Sequence, residues 1–269
     1  MDNYSQHVLD APPVILTVAG SDCSAGAGVQ ADLKTAHTLG VHALTAVTCV
    51  VSEVPGQVHG IQEMETSMVA DQVRLCLSSF PVKAIKTGML YSPQIVSVLA
   101  AELYEWKLPL VVDPVMIATA GSPLMMQEAI EVYEAELMPL ATLLTPNLDE
   151  AAALLGSSPI TEPDQLKDAA SEMAYRYKCA ILLKGGHLEG ECIDVLVGQD
   201  SRVYEWKHPR IPDVSTHGTG CTLSAAITAS LAKGMPLPMA VETGLDFVYN
   251  AIADYYRWML PRQVDALKV

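Results

Sequence analysis

The chain has 269 residues, 50% of them apolar and 17% charged, with a mean hydropathy of +0.26. That profile excludes disorder over most of the length. With 16 basic against 31 acidic residues the formal charge is −15, so the surrounding field repels a nucleic-acid backbone and an anionic membrane surface. Any anionic substrate must then be held by local positive potential, from a few Lys residues, backbone N–H groups or a metal ion.

In chain order, Met1 to Pro13 carries two acids, no Lys or Arg and no apolar run. It reads as a flexible arm without an export signal, ahead of a single domain over residues 14–269. Val14 to Ala19, Leu44 to Val51, Val82 to Thr87, Leu110 to Asp113, Thr142 to Thr145 and Ala180 to Lys184 are β-branched or apolar runs of strand length. The longest apolar stretch, Ala43 to Val51, is half of what a membrane span requires and contains two threonines. Amphipathic helical patterns fall at Gln30 to Leu39, Ser67 to Ser79, Gln94 to Trp106, Pro123 to Leu137, Asp164 to Tyr177, Cys221 to Ala232 and Pro238 to Met259. The alternation predicts a largely parallel sheet covered by helices. Ile193 to Val197 and Arg202 to Trp206, joined by Gly198-Gln199-Asp200-Ser201, predict a small antiparallel edge late in the chain. The six cysteines (Cys23, Cys49, Cys76, Cys179, Cys192 and Cys221) form no C-x-x-C pair, which predicts free thiols in a cytoplasmic protein.

In a parallel sheet, ligand groups collect at the carboxyl ends of strands. Here those ends are followed by Gly20-Ser21-Asp22, Ser52-Glu53, Thr87-Gly88-Met89, Asp113-Pro114-Val115-Met116, Thr145-Pro146-Asn147-Leu148-Asp149-Glu150 and Lys184-Gly185-Gly186-His187. The sharpest motif is Thr216-His217-Gly218-Thr219-Gly220-Cys221, a glycine turn running into a helix of small residues. Bared N–H groups and the helix N-terminus together make an anion hole suited to a transferring phosphate, against the plainer reading of a loop and N-cap. Cys221 at the same terminus is either a buried small hydrophobe or a thiol whose pKa the helix lowers.

Gly26-x-Gly28-x-x-Ala31 has the outline of a dinucleotide fingerprint, with Glu53 as the ribose acid. The polar stretch Gly20 to Ala25 stands where that fingerprint needs a tight turn. No G-x-x-x-x-G-K-[ST], H-E-x-x-H, G-x-S-x-G or protein-kinase signature is present. The seven histidines have no metal-ligand spacing and read as surface or packed residues. Asp149-Glu150 reads equally as the acidic first turn of a helix after Asn147.

Taken together, Val18 to Asp22, Ser24 to Thr35, Lys86-Thr87-Gly88-Met89-Leu90, Asp113 to Met116, Thr145-Pro146-Asn147-x-x-Glu150, Lys184 to His187 and the Gly218 loop resemble the hydroxymethylpyrimidine/phosphomethylpyrimidine kinases of the ribokinase superfamily. The resemblance runs in order from about Val14 to Tyr256. It implies a three-layer α/β/α sandwich and transfer of the γ-phosphoryl group of ATP, with Mg²⁺, to a hydroxymethyl and then to the phosphate formed. It further implies an anion hole at Gly218, Thr219 and Gly220 with Cys221 as base. ATP would lie at Lys184, Asn147 and Gly186, metal at Asp113 and Glu150, and the acceptor at Gly20, Asp32, Glu53, Met89 and Val115. A cytoplasmic homodimer is implied, with small molecules as the only other partners. The family pattern Ala-Gln-Asn-Thr is replaced here by Ser52-Glu53-Val54-Pro55, so a carboxylate stands where an amide reads the pyrimidine. That difference keeps pyridoxal phosphorylation as an alternative, with a non-catalytic nucleotide-binding regulator as a third reading.

Overall fold

A computed structural model describes residues 11–116, 127–186, 188, 190–259 and 263–269. The expected N-terminal arm falls mostly on residues 1–10, which lie outside the described residues, as do His187 and the start of the helix expected at Pro123.

The chain begins with β1 (Val14–Asp22), α1 (Gly28–Thr38), β2 (His42–Val54) and β3 (Gln57–Glu63). It continues through α2 (Thr66–Ser79), β4 (Val82–Thr87), α3 (Pro93–Leu103) and β5 (Leu110–Val112). Then come α4 (Gln127–Val132), β6 (Leu143–Leu144), α5 (Leu148–Leu155), α6 (Pro163–Tyr177) and β7 (Ala180–Lys184). The remainder is β8 (Cys192–Val197), β9 (Val203–His208), α7 (Thr219–Ala232), α8 (Leu237–Ala253), β10 (Tyr256–Trp258) and β11 (Val264–Ala266).

Nine strands form one sheet in the order β3-β2-β1-β4-β5-β6-β7-β8-β9. From β2 to β7 every neighbour pair is parallel, and β3, β8 and β9 add antiparallel edges on both sides. Side-chain alternation along the strands supplies two cores. On one face Val14, Leu16, Val18 and Val112 pack under α2 to α6. On the other, Ile15 and Ala84 pack against α1 and α7, while Val111, Leu143 and Leu182 pack against α7 and α8. The result is the three-layer α/β/α sandwich that the alternation predicts. No helix of the described residues is long and apolar enough to cross a membrane.

The structure departs from the sequence reading at three places. Strand β3 is not anticipated, because His59 is an extra residue: Ser52 pairs with Gly60 and Glu53 with Val58, which breaks the period-2 signal as a bulge does. Glu53 therefore lies within a hairpin strand, beside that bulge, rather than in a loop. The helix expected to Leu137 is regular only to Val132 and continues as a π-helical turn and a 3₁₀ turn ending at Leu140, where Pro139 cannot continue α-helical hydrogen bonding. The last helix stops at Ala253 rather than Met259, and Tyr256–Trp258 pairs with Val264–Ala266. Helix α5 is the short element that the Asp149-Glu150 first turn hinted at.

Because the chain runs from β1 outward through β2 and β3 and then returns to β4 on the other side of β1, the strand order reverses at β1/β4. A crevice opens at the carboxyl ends of strands at such a reversal.

Candidate active site

The crevice is a cavity of about 460 Å³ at the carboxyl ends of the strands. All the candidate residues line it except Asp32. Its three regions differ in chemistry.

The first region is a pair of interlocked loops. Asp22, at the end of β1, is buried and gathers the loop leading to α1. Its Oδ1 accepts from the Ser24 N–H at 2.7 Å. Its Oδ2 accepts from the Ser24 hydroxyl at 2.9 Å and the Gly26 and Ala27 N–H groups at 3.1 and 2.8 Å. Oδ2 also meets His217 Nε2 at 3.1 Å, on the loop before α7. Burial raises this carboxyl, but His217 and the Ser24 and Ala27 donors outweigh it and hold Asp22 down to about 2. The glycines serve the same contact. A Cβ on Gly26 would stand 2.6 Å from the His217 ring, and one on Gly218, where φ is +81°, would stand 1.8 Å from the Gly26 carbonyl oxygen. Gly28, at φ +58°, lies as tightly against the Gly20 carbonyl, 2.3 Å from where its Cβ would be. The glycines of the apparent dinucleotide fingerprint are thus used for packing, Gly26 against the loop before α7 and Gly28 against β1.

Those contacts set the N-terminus of α7, where the chain enters the helix at Gly218 in left-handed conformation and no side chain caps it. The Thr219 N–H turns back to the Thr216 carbonyl at 3.2 Å, and Gly218, Thr219 and Gly220 line the cavity where the helix begins, the end at which a helix attracts negative charge. Cys221 overturns the expectation of a lowered pKa. Burial pushes the thiol up to about 11, although Lys86 and the Gly28 N–H pull the other way, so the thiol form predominates at neutral pH and the thiolate is a minor fraction. Desolvation there exceeds what a helix terminus supplies.

The second region is charged. Asp113 Oδ1 accepts from Lys184 Nζ at 3.0 Å and from the Thr145 hydroxyl at 3.1 Å. Lys184 is nearly buried; burial pulls its ammonium down, and Asp113 and Glu150 more than offset this. Asn147 and Glu150 form a reciprocal cap on α5: the Asn147 N–H donates to Glu150 Oε2 at 2.8 Å and the Glu150 N–H to Asn147 Oδ1 at 2.9 Å. Burial pushes Glu150 up to about 7, with Lys184 opposing and Asp113 adding to the rise. A Cβ on Gly220 would lie 3.3 Å from Lys184 Nζ and 3.5 Å from Asp113 Oδ2, so the glycine keeps the α7 terminus in contact with this cluster. Gly186 lines the wall beyond it.

Two nearby buried carboxylates of hard oxygen donors fit a magnesium ion. Such an ion takes one or two carboxylates and completes its shell with phosphate and water. Among the described residues no group of three or more His, Cys, Asp or Glu could hold a metal ion by itself.

The third region is an apolar floor with a polar edge. Gly20, Val51, Val58, Met89 and Val115 line it. Gly20 is held flat by Cys49, whose Sγ would be 2.9 Å from an added Cβ. Glu53 stands at the edge, its backbone N–H and carbonyl both engaged by the Cys23 thiol. Burial and the Asp22 carboxylate raise its pKa, and His217 lowers it. Across the cavity, Leu223 of α7 and Leu245, Val248 and Ile252 of α8 make a second apolar wall.

Asp32 is the one candidate the structure removes from the cavity. It is fully buried behind α1, with Lys86 Nζ 2.8 Å from each carboxylate oxygen and the Thr17 hydroxyl donating at 2.5 Å. Three participants go beyond the sequence reading. Asp22 has a usable signal in Asp-x-Ser at a strand end, a side-chain turn. His217 has none, because its partner is 195 residues away. The α8 wall has none either, since apolar residues facing a cavity and a core look alike in sequence.

A mainly parallel α/β/α sandwich with a glycine anion hole facing a Lys–Asp–Glu cluster is the ribokinase-like class of small-molecule kinases. The chain belongs to the phosphomethylpyrimidine kinase family, which it matches over residues 22–263. It is 42% identical to the hydroxymethylpyrimidine/phosphomethylpyrimidine kinase of Streptomyces coelicolor over 90% of this chain and 89% of that one. The chain spans about half the length of some other relatives, among them a thiamine biosynthesis bifunctional protein of Geobacter sulfurreducens, 40% identical over 88% of this chain and 49% of that one. Its fold is similar to the Bacillus subtilis pyridoxal kinase solved as an ADP complex, with TM-score 0.86 and 32% identity over 95% of this chain and 97% of that one. It is also similar to the phosphomethylpyrimidine kinase of Clostridium difficile, with TM-score 0.78 and 34% identity over 89% and 99%.

Asp22 generates a prediction with a defined sign. Its folded pKa, about 2, lies below the ordinary 3.8, so its contribution to stability is present above pH 4 and is lost as pH falls through 2. Asp22→Asn lowers stability at pH 7 by about 1–3 kcal/mol, and urea titrations should show the gap to wild type closing between pH 4 and 2. A gap independent of pH contradicts the account of a carboxylate held by these hydrogen bonds.

Proposed function

We propose that this chain transfers the γ-phosphoryl group of ATP to the hydroxymethyl of 4-amino-5-hydroxymethyl-2-methylpyrimidine, and then to the resulting monophosphate, in thiamine biosynthesis. The observation that carries this is the family match over residues 22–263 together with one cavity that joins the anion hole, the charged cluster and an apolar floor of ring size.

In this reading the aminopyrimidine ring lies on Val51, Met89 and Val115, with Gly20 letting it approach the sheet. ATP occupies the opposite half, its phosphates at Lys184, Asn147 and Gly186 and its base against the α8 wall. Asp113 and Glu150 would hold Mg²⁺, which would supply positive charge to offset that of the phosphates. The acceptor oxygen forms its bond to Pγ as the bond from Pγ to the β–γ bridging oxygen breaks, and that electron pair leaves with ADP. The Gly218 and Gly220 amides receive the charge that spreads over the phosphoryl oxygens, while Thr219 braces the turn with its N–H and hydroxyl on the Thr216 carbonyl. The hydroxyl proton passes late to Cys221 in its thiolate form. Because burial disfavours that form, the anion hole and the cations carry more of the rate than Cys221 does. The test is ADP release with ATP and Mg²⁺ against the pyrimidine, its monophosphate and pyridoxal, with no-substrate controls. Turnover on the two pyrimidines is expected; turnover on pyridoxal alone transfers the chain to the alternative reading, which the likeness to pyridoxal kinase structures supports.

Glu53 supplies a sharper test. A neutral carboxylic acid both donates and accepts, as an amide does, whereas a carboxylate only accepts. Burial and Asp22 raise the Glu53 pKa, so the form that can pair with both ring nitrogen and exocyclic amine persists to higher pH than for an ordinary Glu. The wild-type kcat/KM for the pyrimidine, divided by that of Glu53→Gln, should therefore fall as pH rises through the Glu53 pKa. A ratio flat from pH 5 to 8 removes Glu53 from recognition of the ring.

A further inference from the structure

Strands β10 and β11 form a sheet of their own, outside the nine-stranded one. Each is three residues long, and one face carries the exposed side chains of Tyr256 and Trp258, so the hairpin adds little to the core. A ribbon of this size does not hold itself together in water. It is anchored where it leaves β11: Leu267 is buried, and the Lys268 N–H donates to the Ala251 carbonyl of α8 at 3.3 Å. The opposite face holds a charged pair. Arg257 and Asp265 stand directly across from each other and therefore share that face. Arg257 Nε and Nη2 lie 2.7 and 2.9 Å from the two carboxylate oxygens of buried Asp265, a two-pronged contact that fixes orientation as well as charge.

That pair closes on the connection leading into α7. Arg257 Nη2 also donates to the carbonyl of Asp213, a residue in left-handed conformation with φ +59°, which a side-chain-bearing residue keeps only where its surroundings hold it. The guanidinium keeps the Asp265 carboxyl below its ordinary value, and the Ser215 backbone N–H adds to this. Ser215 Oγ in turn accepts from the His217 N–H at 3.3 Å, and His217 Nε2 meets Asp22 Oδ2 at 3.1 Å. Contacts thus run from the hairpin, through Asp213 to His217, to the loop after β1. We infer that Arg257 and Asp265 are positioning residues for the anion hole: the β10–β11 hairpin straps the segment before Gly218 from one side, Asp22 and Gly26 hold it from the other, and together they aim the first turn of α7. What the aimed turn does rests on the phosphoryl-transfer reading. Neither Arg257 nor Asp265 lines the cavity, so both act through the segment they hold.

The experiment reads the segment and the chemistry separately. Backbone hydrogen–deuterium exchange of the full chain without ligand is followed in peptides covering 213–220. Wild type is compared with Arg257→Met, with Arg257→Met combined with Asp265→Asn, which leaves no lone buried carboxylate, and with Trp258→Ala on the other face of the same hairpin. Exchange in 213–220 should quicken about tenfold in both Arg257 variants and keep the wild-type rate in Trp258→Ala, with β1, β4 and α8 unchanged. Unchanged exchange in that segment, or an equal increase throughout the sheet, overturns the inference. Kinetics of the double variant, on the acceptor that wild type turns over, then show what the strap does for the reaction. Its kcat should fall about tenfold while KM for ATP changes less than about threefold, because the turn serves the phosphoryl group in flight more than the bound nucleotide. A wild-type kcat alongside a loosened segment, or a rise in KM alone, overturns the positioning role. Wild-type silence on every acceptor is instead the failure of the phosphoryl-transfer reading, and the exchange result then judges the strap.

Discussion

At Gly218 the backbone passes so close to the Gly26 carbonyl that a Cβ would lie 1.8 Å from its oxygen, and the site is built around that approach. One loop comes from β1 at the start of the chain, the other precedes α7 almost 200 residues later. Asp22 organises the first with four local donors and reaches His217 in the second. The uncapped terminus of α7 is thereby aimed into the crevice before any ligand arrives. Donors fixed in advance cost no reorganisation when charge develops, which is why such sites contribute more than equivalent groups in water.

The second constraint is charge. A protein of net charge −15 that takes a triphosphate must neutralise it locally. Lys184 is paired with Asp113, and burial beside a second carboxylate pushes Glu150 up to about 7. In the proposed reaction a divalent cation held there would offset that charge and the charge of the phosphates. Burial likewise outweighs the helix terminus at Cys221 and raises its thiol.

Much of the arrangement was legible in the sequence, for physical reasons. Strand and helix alternation survives in the chain because both faces of the sheet are buried, and the rim residues follow strand ends because that is where backbone turns leave the core. Glu53, Asp113, Lys184 and Gly218 to Cys221 all line one cavity. The failures are equally specific. Asp32 stands in the right segment but on the inward face of α1, where Lys86 claims it. Strand β3 is concealed by the extra residue at His59. Cys221 was judged from its helix terminus, and the burial that reverses its pKa comes from residues distant in sequence.

The central claim, that a preassembled anion hole recognises the transferring group more than it does the bound nucleotide, is tested most directly by calorimetry on Gly218→Ala. ADP alone is compared with ADP, Mg²⁺ and aluminium fluoride in the presence of the pyrimidine acceptor, a mimic of the phosphoryl group in flight. The account predicts that affinity for the mimic falls about 100-fold while ADP affinity changes by less than about threefold. Equal losses for both, or no loss for the mimic, would contradict it.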